Sequence, residues 1–126
     1  MTYEDILKLV TEFYQLATND FLIGYHFRVI TDFDTHVPRI ASFWENQVSN
    51  YVSHPEHFPF RMMAKHFPLK IKQGELDRWV LIFFEVLERE KTKNPQHEKS
   101  LEVWKEKILF IKAKFEEHPA MLQRKS

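Results

Sequence analysis

The amino-acid sequence predicts an all-α chain, and three observations carry that prediction. Apolar residues recur at three- and four-residue steps in four separate stretches, no stretch alternates apolar and polar residues between hairpin turns, and no segment repeats. With 126 residues, 44% of them hydrophobic, the chain falls in the range of one domain and can bury a core without disulfides. Residues 1–126 therefore read as a single domain.

The first helix is expected from about Tyr3 to Thr18. Thr2 followed by Asp5 is an acidic variant of a capping box, and Ile6, Leu9, Val10, Phe13 and Ala17 keep helical spacing until Asn19-Asp20 interrupts it. Tyr14 sits at the edge of this stripe, with its hydroxyl able to point inward. The run from Phe21 to Phe27 is short and apolar and holds Gly24, one of only two glycines, so it reads as a corner closing over the core.

Asp32, Asp34 and Thr35 are all N-cap types, and Pro38 suits the first turn of a helix starting near Thr35. On that helix His36, Ile40, Phe43 and Gln47 share a face, with Trp44 beside them. Residues 49–61 break the pattern with Pro55, Pro59, His54 and His57 and read as a loop. After Pro68, residues 70–74 form a polar connection. Leu76, Trp79, Val80, Phe83 and Leu87 then mark a helix ending at about Lys91 to Lys93, where basic residues complement the helix dipole. Asn94-Pro95 reads as an N-cap with proline at the first helical position. Leu101, Trp104, Ile108, Ile111 and Phe115 form the buried side of a last helix that stops near His118-Pro119.

Composition removes several functional classes. Lysine plus arginine equals aspartate plus glutamate at 18 each, leaving no net field to attract nucleic acid or an anionic membrane. Cysteine is absent, which excludes disulfides, thiolate metal sites, a cysteine nucleophile and thioether-linked haem. An acidic N-terminus in place of a basic leader, and no apolar run long enough to span a bilayer, lead us to expect a cytoplasmic protein. Twelve phenylalanines, four tyrosines and three tryptophans offer flat apolar surface, suited to a core or to a planar ligand.

One stretch combines these features. From Met62 to Ile71, His66 stands among Met63, Phe67 and Leu69, just ahead of a long helix. A neutral imidazole in such company can ligate iron, zinc or copper, although a lone core histidine is more often simply hydrogen-bonded.

Taken in chain order, Phe13-Tyr14, Ile23-Gly24 with Phe27, His36 ahead of Phe43-Trp44, Met63-Ala64-x-His66-x-Pro68-Leu69, and Asp77-Arg78-Trp79 resemble the truncated haemoglobins, in particular their third group. The likeness covers most of residues 5–90, and the chain departs from it between Trp44 and His66, where the loop is longer and free of glycine.

The resemblance implies a two-over-two helical sandwich holding a non-covalent haem b, iron protoporphyrin IX, with His66 as the metal ligand. Tyr14, His36 and Trp79 are implied as the residues that stabilise a bound ligand on the opposite side of the ring, and Phe27, Ile40, Phe43, Trp44, Met63 and Leu69 as the pocket lining. The implied partners are O2, NO or other small haem ligands, together with an electron donor. Two donors, each adding about 1.5–3 kcal/mol to a polarised O2, slow its release by two or more powers of ten at about 1.4 kcal/mol per tenfold. That favours O2/NO redox chemistry or detoxification, as a NO dioxygenase or a peroxidase-like catalyst, over bulk oxygen transport. Two other readings stand beside it. One is a cofactor-free helical interaction module in which Tyr14, His66 and Trp79 are core residues. The other is a zinc protein using His54, His57 and His66.

Overall fold

The computed structural model is all-α among its described residues, which are 1–30, 32–57 and 71–117. Helix α1 spans Tyr3–Thr18, α2 Gly24–Arg28, α3 Phe33–Ser49, α4 Gln73–Lys93 and α5 Glu98–Glu117, with 3-10 turns at Pro55–His57 and Pro95–His97. Met63, His66 and Leu69, expected as pocket lining and metal ligand, fall outside the described residues.

The start of α1 follows the sequence signal closely. Thr2 Oγ1 accepts from the Asp5 N–H at 3.1 Å and Asp5 Oδ2 accepts from the Thr2 N–H at 3.0 Å, so two otherwise orphaned donors are satisfied reciprocally. Helix α3 opens two residues earlier than expected. The carboxylate of Asp32, and not a later side chain, accepts from the Thr35 N–H at 3.3 Å, and Asp34 falls in the first turn, where its charge suits the helix dipole. The helix ends at Asn50, the one non-glycine residue with positive φ among the described residues, at 53°.

Helix α4 also starts ahead of its apolar stripe, because Glu75 folds back to accept from the Lys72 N–H at 2.9 Å. At the other end, Asn94 does not cap α5. Its side-chain amide donates to Glu90 Oε2 at 3.0 Å, Pro95–His97 forms a 3-10 turn, and α5 begins only at Glu98.

The four long helices pack in a ring. α1 lies against α3 and α4, α5 lies against α3 and α4, and α2 rests on α1. Each long helix contributes an aromatic residue to the centre. Phe13 stacks on Phe83 at 4.4 Å and 20°, Trp44 meets Phe83 at 5.4 Å and Trp104 at 5.7 Å, and Phe83 meets Trp104 at 5.6 Å. Such ring pairs add about 0.5–1.5 kcal/mol each beyond the area they bury. The Trp104 indole N–H is buried without a hydrogen-bond partner among the described residues, at a cost of about 1–3 kcal/mol, so what this ring contributes is packing. Ile6, Val10, Ala41, Val86, Leu87, Leu101 and Ile108, all fully buried, fill the space around the rings. Among the described residues no helix is long and apolar enough to cross a membrane.

Candidate functional site

Two of the three residues expected to face a bound ligand do come together. Tyr14 on α1 is buried, and its hydroxyl lies 3.1 Å from His36 Nε2 in the first turns of α3. The rings of Phe13, Phe27 and Phe33 stand edge-on around Tyr14 at 5.6, 5.4 and 6.0 Å. Burial pushes the phenol pKa well above its ordinary value, which keeps Tyr14 protonated and able to donate.

Trp79 is half-buried and stands one ring away. It lies edge-on to Phe13 at 6.3 Å and to Phe83 at 5.7 Å, and Phe13 is the ring it shares with Tyr14. Of the expected lining residues, Ile40 is buried and Phe27 closes on both Phe13 and Tyr14. Phe43 is half-buried, 5.1 Å from Trp44. Trp44, expected beside the α3 face that His36 opens, is instead at the centre of the core with no exposed surface.

The expectation of haem b, and with it of metal binding, is corrected here. Among the described residues no group of three or more histidine, cysteine, aspartate or glutamate side chains is arranged to hold a metal ion. The physical reason lies in how the described histidines are used. His36 faces the Tyr14 hydroxyl, His26 Nε2 lies 3.1 Å from Glu75, and His57 Nδ1 lies 2.6 Å from Ser42 Oγ. His97 Nδ1 lies 2.7 Å from Glu90, and His54 packs edge-on to Tyr3 at 4.2 Å. His66, the expected iron ligand, falls outside the described residues, and the zinc set of His54, His57 and His66 falls with the metal reading. His54 and His57 stand with their rings 5.4 Å apart.

The region where buried charge and exposed aromatic surface meet is the corner between α1 and α2. Asp20 is buried and accepts four hydrogen bonds. Leu22 N–H and Ile23 N–H donate to Oδ2 at 3.0 and 3.1 Å, and Arg78 Nε and Nη2 donate to Oδ1 at 2.9 and 2.7 Å. The Arg78 guanidinium and the two amides hold this carboxyl below the usual carboxylate range.

A second buried carboxylate lies close by. Glu75 accepts from the Tyr25 hydroxyl and the Lys72 N–H, and faces His26. Burial alone would raise the Glu75 pKa, but these donors carry it below its ordinary value, while the bond to Glu75 pushes the Tyr25 phenol up to about 12. Gly24 completes the lock. A Cβ there would stand 2.6 Å from the Thr18 carbonyl oxygen, so only glycine lets α2 approach the end of α1 this closely.

On this fixed backbone Phe21 is 89% exposed, with the Arg78 guanidinium 5.8 Å from its ring centre, and Tyr25 is half-exposed. The sequence marked Asp20 only as a helix stop and Arg78 only as part of a motif. Glu75 was readable in principle, as an acid at the third position of α4, but the fifty residues that separate it from Tyr25 hide their pairing.

No family model matches the chain, and no curated protein or solved structure matches it. What stands is an all-α helical fold.

Proposed function

We propose that the chain is a helical interaction module, a scaffold of the two-over-two type that needs no cofactor, and that it takes a protein partner at the α1–α2 corner. The ring of contacts α1–α3–α5–α4 supports the scaffold. A single observation carries the binding reading: Phe21, almost wholly exposed, is presented on a backbone that Asp20, Arg78 and Gly24 hold still. Binding hot spots are enriched in aromatic residues and arginine, and an anchor already fixed in place loses little conformational freedom on binding. Phe21, Tyr25 and Arg78 provide that composition on one small surface. Tyr14 and His36 then act as a satisfied polar pair inside the α1–α3 junction.

The test has two arms. A photo-crosslinking residue at position 21, compared in cells with the same residue at exposed Lys99, gives a discrete protein adduct at 21 and none at 99. The absorption spectrum of protein purified from haem-supplied cells shows the aromatic band alone. No adduct at 21 refutes the corner as a docking site. A stoichiometric Soret band overturns the cofactor-free module in favour of O2 and NO chemistry.

A further inference from the structure

Helix α2 contributes little to its own stability. It has five residues, and isolated helices shorter than ~12–15 residues are marginal in water. No side chain caps its first turn, and only Gly24 and Phe27 of its residues are buried. Its packing is mainly against α1, where Phe27 meets the rings of Phe13 and Tyr14 at 5.8 and 5.4 Å and Arg28 Nη1 donates to the Thr18 carbonyl at 3.0 Å.

Two carboxylates join this corner to α4. From the corner, Asp20 reaches Arg78 of α4, and from α4, Glu75 reaches Tyr25 and His26 of α2. The ties run in opposite directions and share no group. Among the described residues, the titratable groups that face them are Arg78 for Asp20, and Tyr25 and His26 for Glu75, while α1 meets the corner with the neutral Thr18 carbonyl.

Both ties depend on an ionised carboxylate. Every partner of Asp20 can only donate: the Leu22 and Ile23 N–H groups occupy Oδ2 and the guanidinium occupies Oδ1, so an added proton meets no acceptor and must displace a donor. At Glu75 the Lys72 N–H and His26 share Oε1, and Oε2 accepts from the Tyr25 hydroxyl. A proton there turns charge-assisted bonds into neutral ones about half as strong. The Arg78 guanidinium holds Asp20 below its ordinary value. At Glu75 burial raises the carboxyl, but the bonds from Tyr25, Lys72 and His26 carry it lower. The ties are therefore complete above the ordinary carboxylate range near pH ~4 and are lost as pH falls through the depressed values.

We propose that α2 is an acid-released clasp, which swings away from α4 as a unit while the four long helices stay packed. Those helices meet through Phe13, Trp44, Phe83 and Trp104, rings that do not titrate, so acid that opens the corner leaves the centre in place. Opening removes the fixed backbone under Phe21 and Tyr25, and with it the preorganisation that binding uses. This regulation of docking rests on the corner being the docking site, whereas the clasp itself does not.

Native-state hydrogen exchange of the full chain, read by NMR, tests the clasp without any partner. The amides of Gly24, His26 and Ile30, bonded to the carbonyls of Asp20, Ile23 and Phe27, report the corner. In the double variant Asp20→Asn/Glu75→Gln at neutral pH they exchange at least about tenfold faster than in the parent, and their opening responds weakly to urea because it exposes little surface. The amides of Val10, Ala41, Val86 and Ile108 stay the better protected and open with the urea dependence of global unfolding. Titrating the parent to below pH ~4, with intrinsic rates corrected, gives the same order, corner before core, and decides the matter if the variant does not fold. Unchanged protection at the corner, or corner and core amides that share one protection and one urea dependence, overturns the clasp. The adduct formed by the crosslinking residue at position 21 falls at least about tenfold in the folded double variant. An undiminished adduct overturns the regulation, and no adduct in the parent refutes the docking site and the regulation with it, while the exchange rates still decide the clasp.

Discussion

A methyl group on Gly24 probes the corner that presents Phe21. A Cβ at this position lies 2.4 Å from Arg28 Nη1 and 2.6 Å from the Thr18 carbonyl oxygen. The arginine can swing away, giving up its 3.0 Å bond to the same carbonyl at about 1 kcal/mol. The carbonyl cannot, because it is backbone in the last residue of α1, so α2 as a whole must shift, at about 1–3 kcal/mol for such overpacking. Alanine recovers up to about 1 kcal/mol through its better helix propensity, less at the first residue of a helix. The balance is a loss of roughly 1–4 kcal/mol, and at roughly 3–5 °C per kcal/mol for a chain of this size Gly24→Ala lowers Tm by about 3–20 °C. Adding Arg28→Ala separates the two contacts, since the double variant stays destabilised if the Thr18 carbonyl is the obstacle. A Tm for Gly24→Ala equal to or above that of the parent would refute the close approach.

The core makes a larger prediction. Phe83 touches rings from α1, α3 and α5, so Phe83→Ala costs about 3–5 kcal/mol in urea unfolding, and a loss under 1 kcal/mol would deny the central role given to that ring. Asp20→Asn weakens the corner by about 1–3 kcal/mol at neutral pH. Because Arg78 depresses the native pKa of Asp20, its contribution is present above the ordinary carboxylate range near pH ~4 and is lost as pH falls through the depressed value. The parent's advantage over the variant therefore shrinks to nothing in acid, and an advantage that grew with falling pH would contradict the pairing. Tyr14→Phe removes the partner of His36 Nε2 and costs about 0.5–1.5 kcal/mol, with the His36 imidazole resonances moving in NMR. Resonances that do not move would mean the two groups are not bonded in solution.

Helix identity was legible wherever a local pattern repeated. Thr2 and Asp5 announced α1, and the stripes of α4 and α5 named their buried faces, because periodicity reports burial directly. Boundaries slipped where a side chain had a choice of partners. Asn94 looked like a cap for α5 and serves Glu90 instead, and the carboxylate of Glu75 pulls the start of α4 back to Gln73. Placement of distant residues was legible only by resemblance. The resemblance set Tyr14 and His36 on the same side of an expected ring, and their direct contact at 3.1 Å is a pairing the sequence did not specify. The same resemblance suggested haem, which the described histidines, each engaged elsewhere, do not support. Glu90 left a clue that went unused: it continues the Phe83, Leu87 stripe onto a buried position, and an acid on a core stripe calls for a buried partner, here His97.

That last contact bears on the order in which the chain folds. Glu90, Asn94 and His97 tie the end of α4 to the turn before α5, and His97 Nε2 also approaches Asp5 at 3.7 Å. A hairpin closed through so few residues loses little chain entropy, so α4 and α5 can pair before any distant contact exists. In that order α1 would dock last, with Asp5 of its first turn meeting His97. The turn at residues 94–97 thus bears on the folding rate, and its replacements should slow folding more than they speed unfolding.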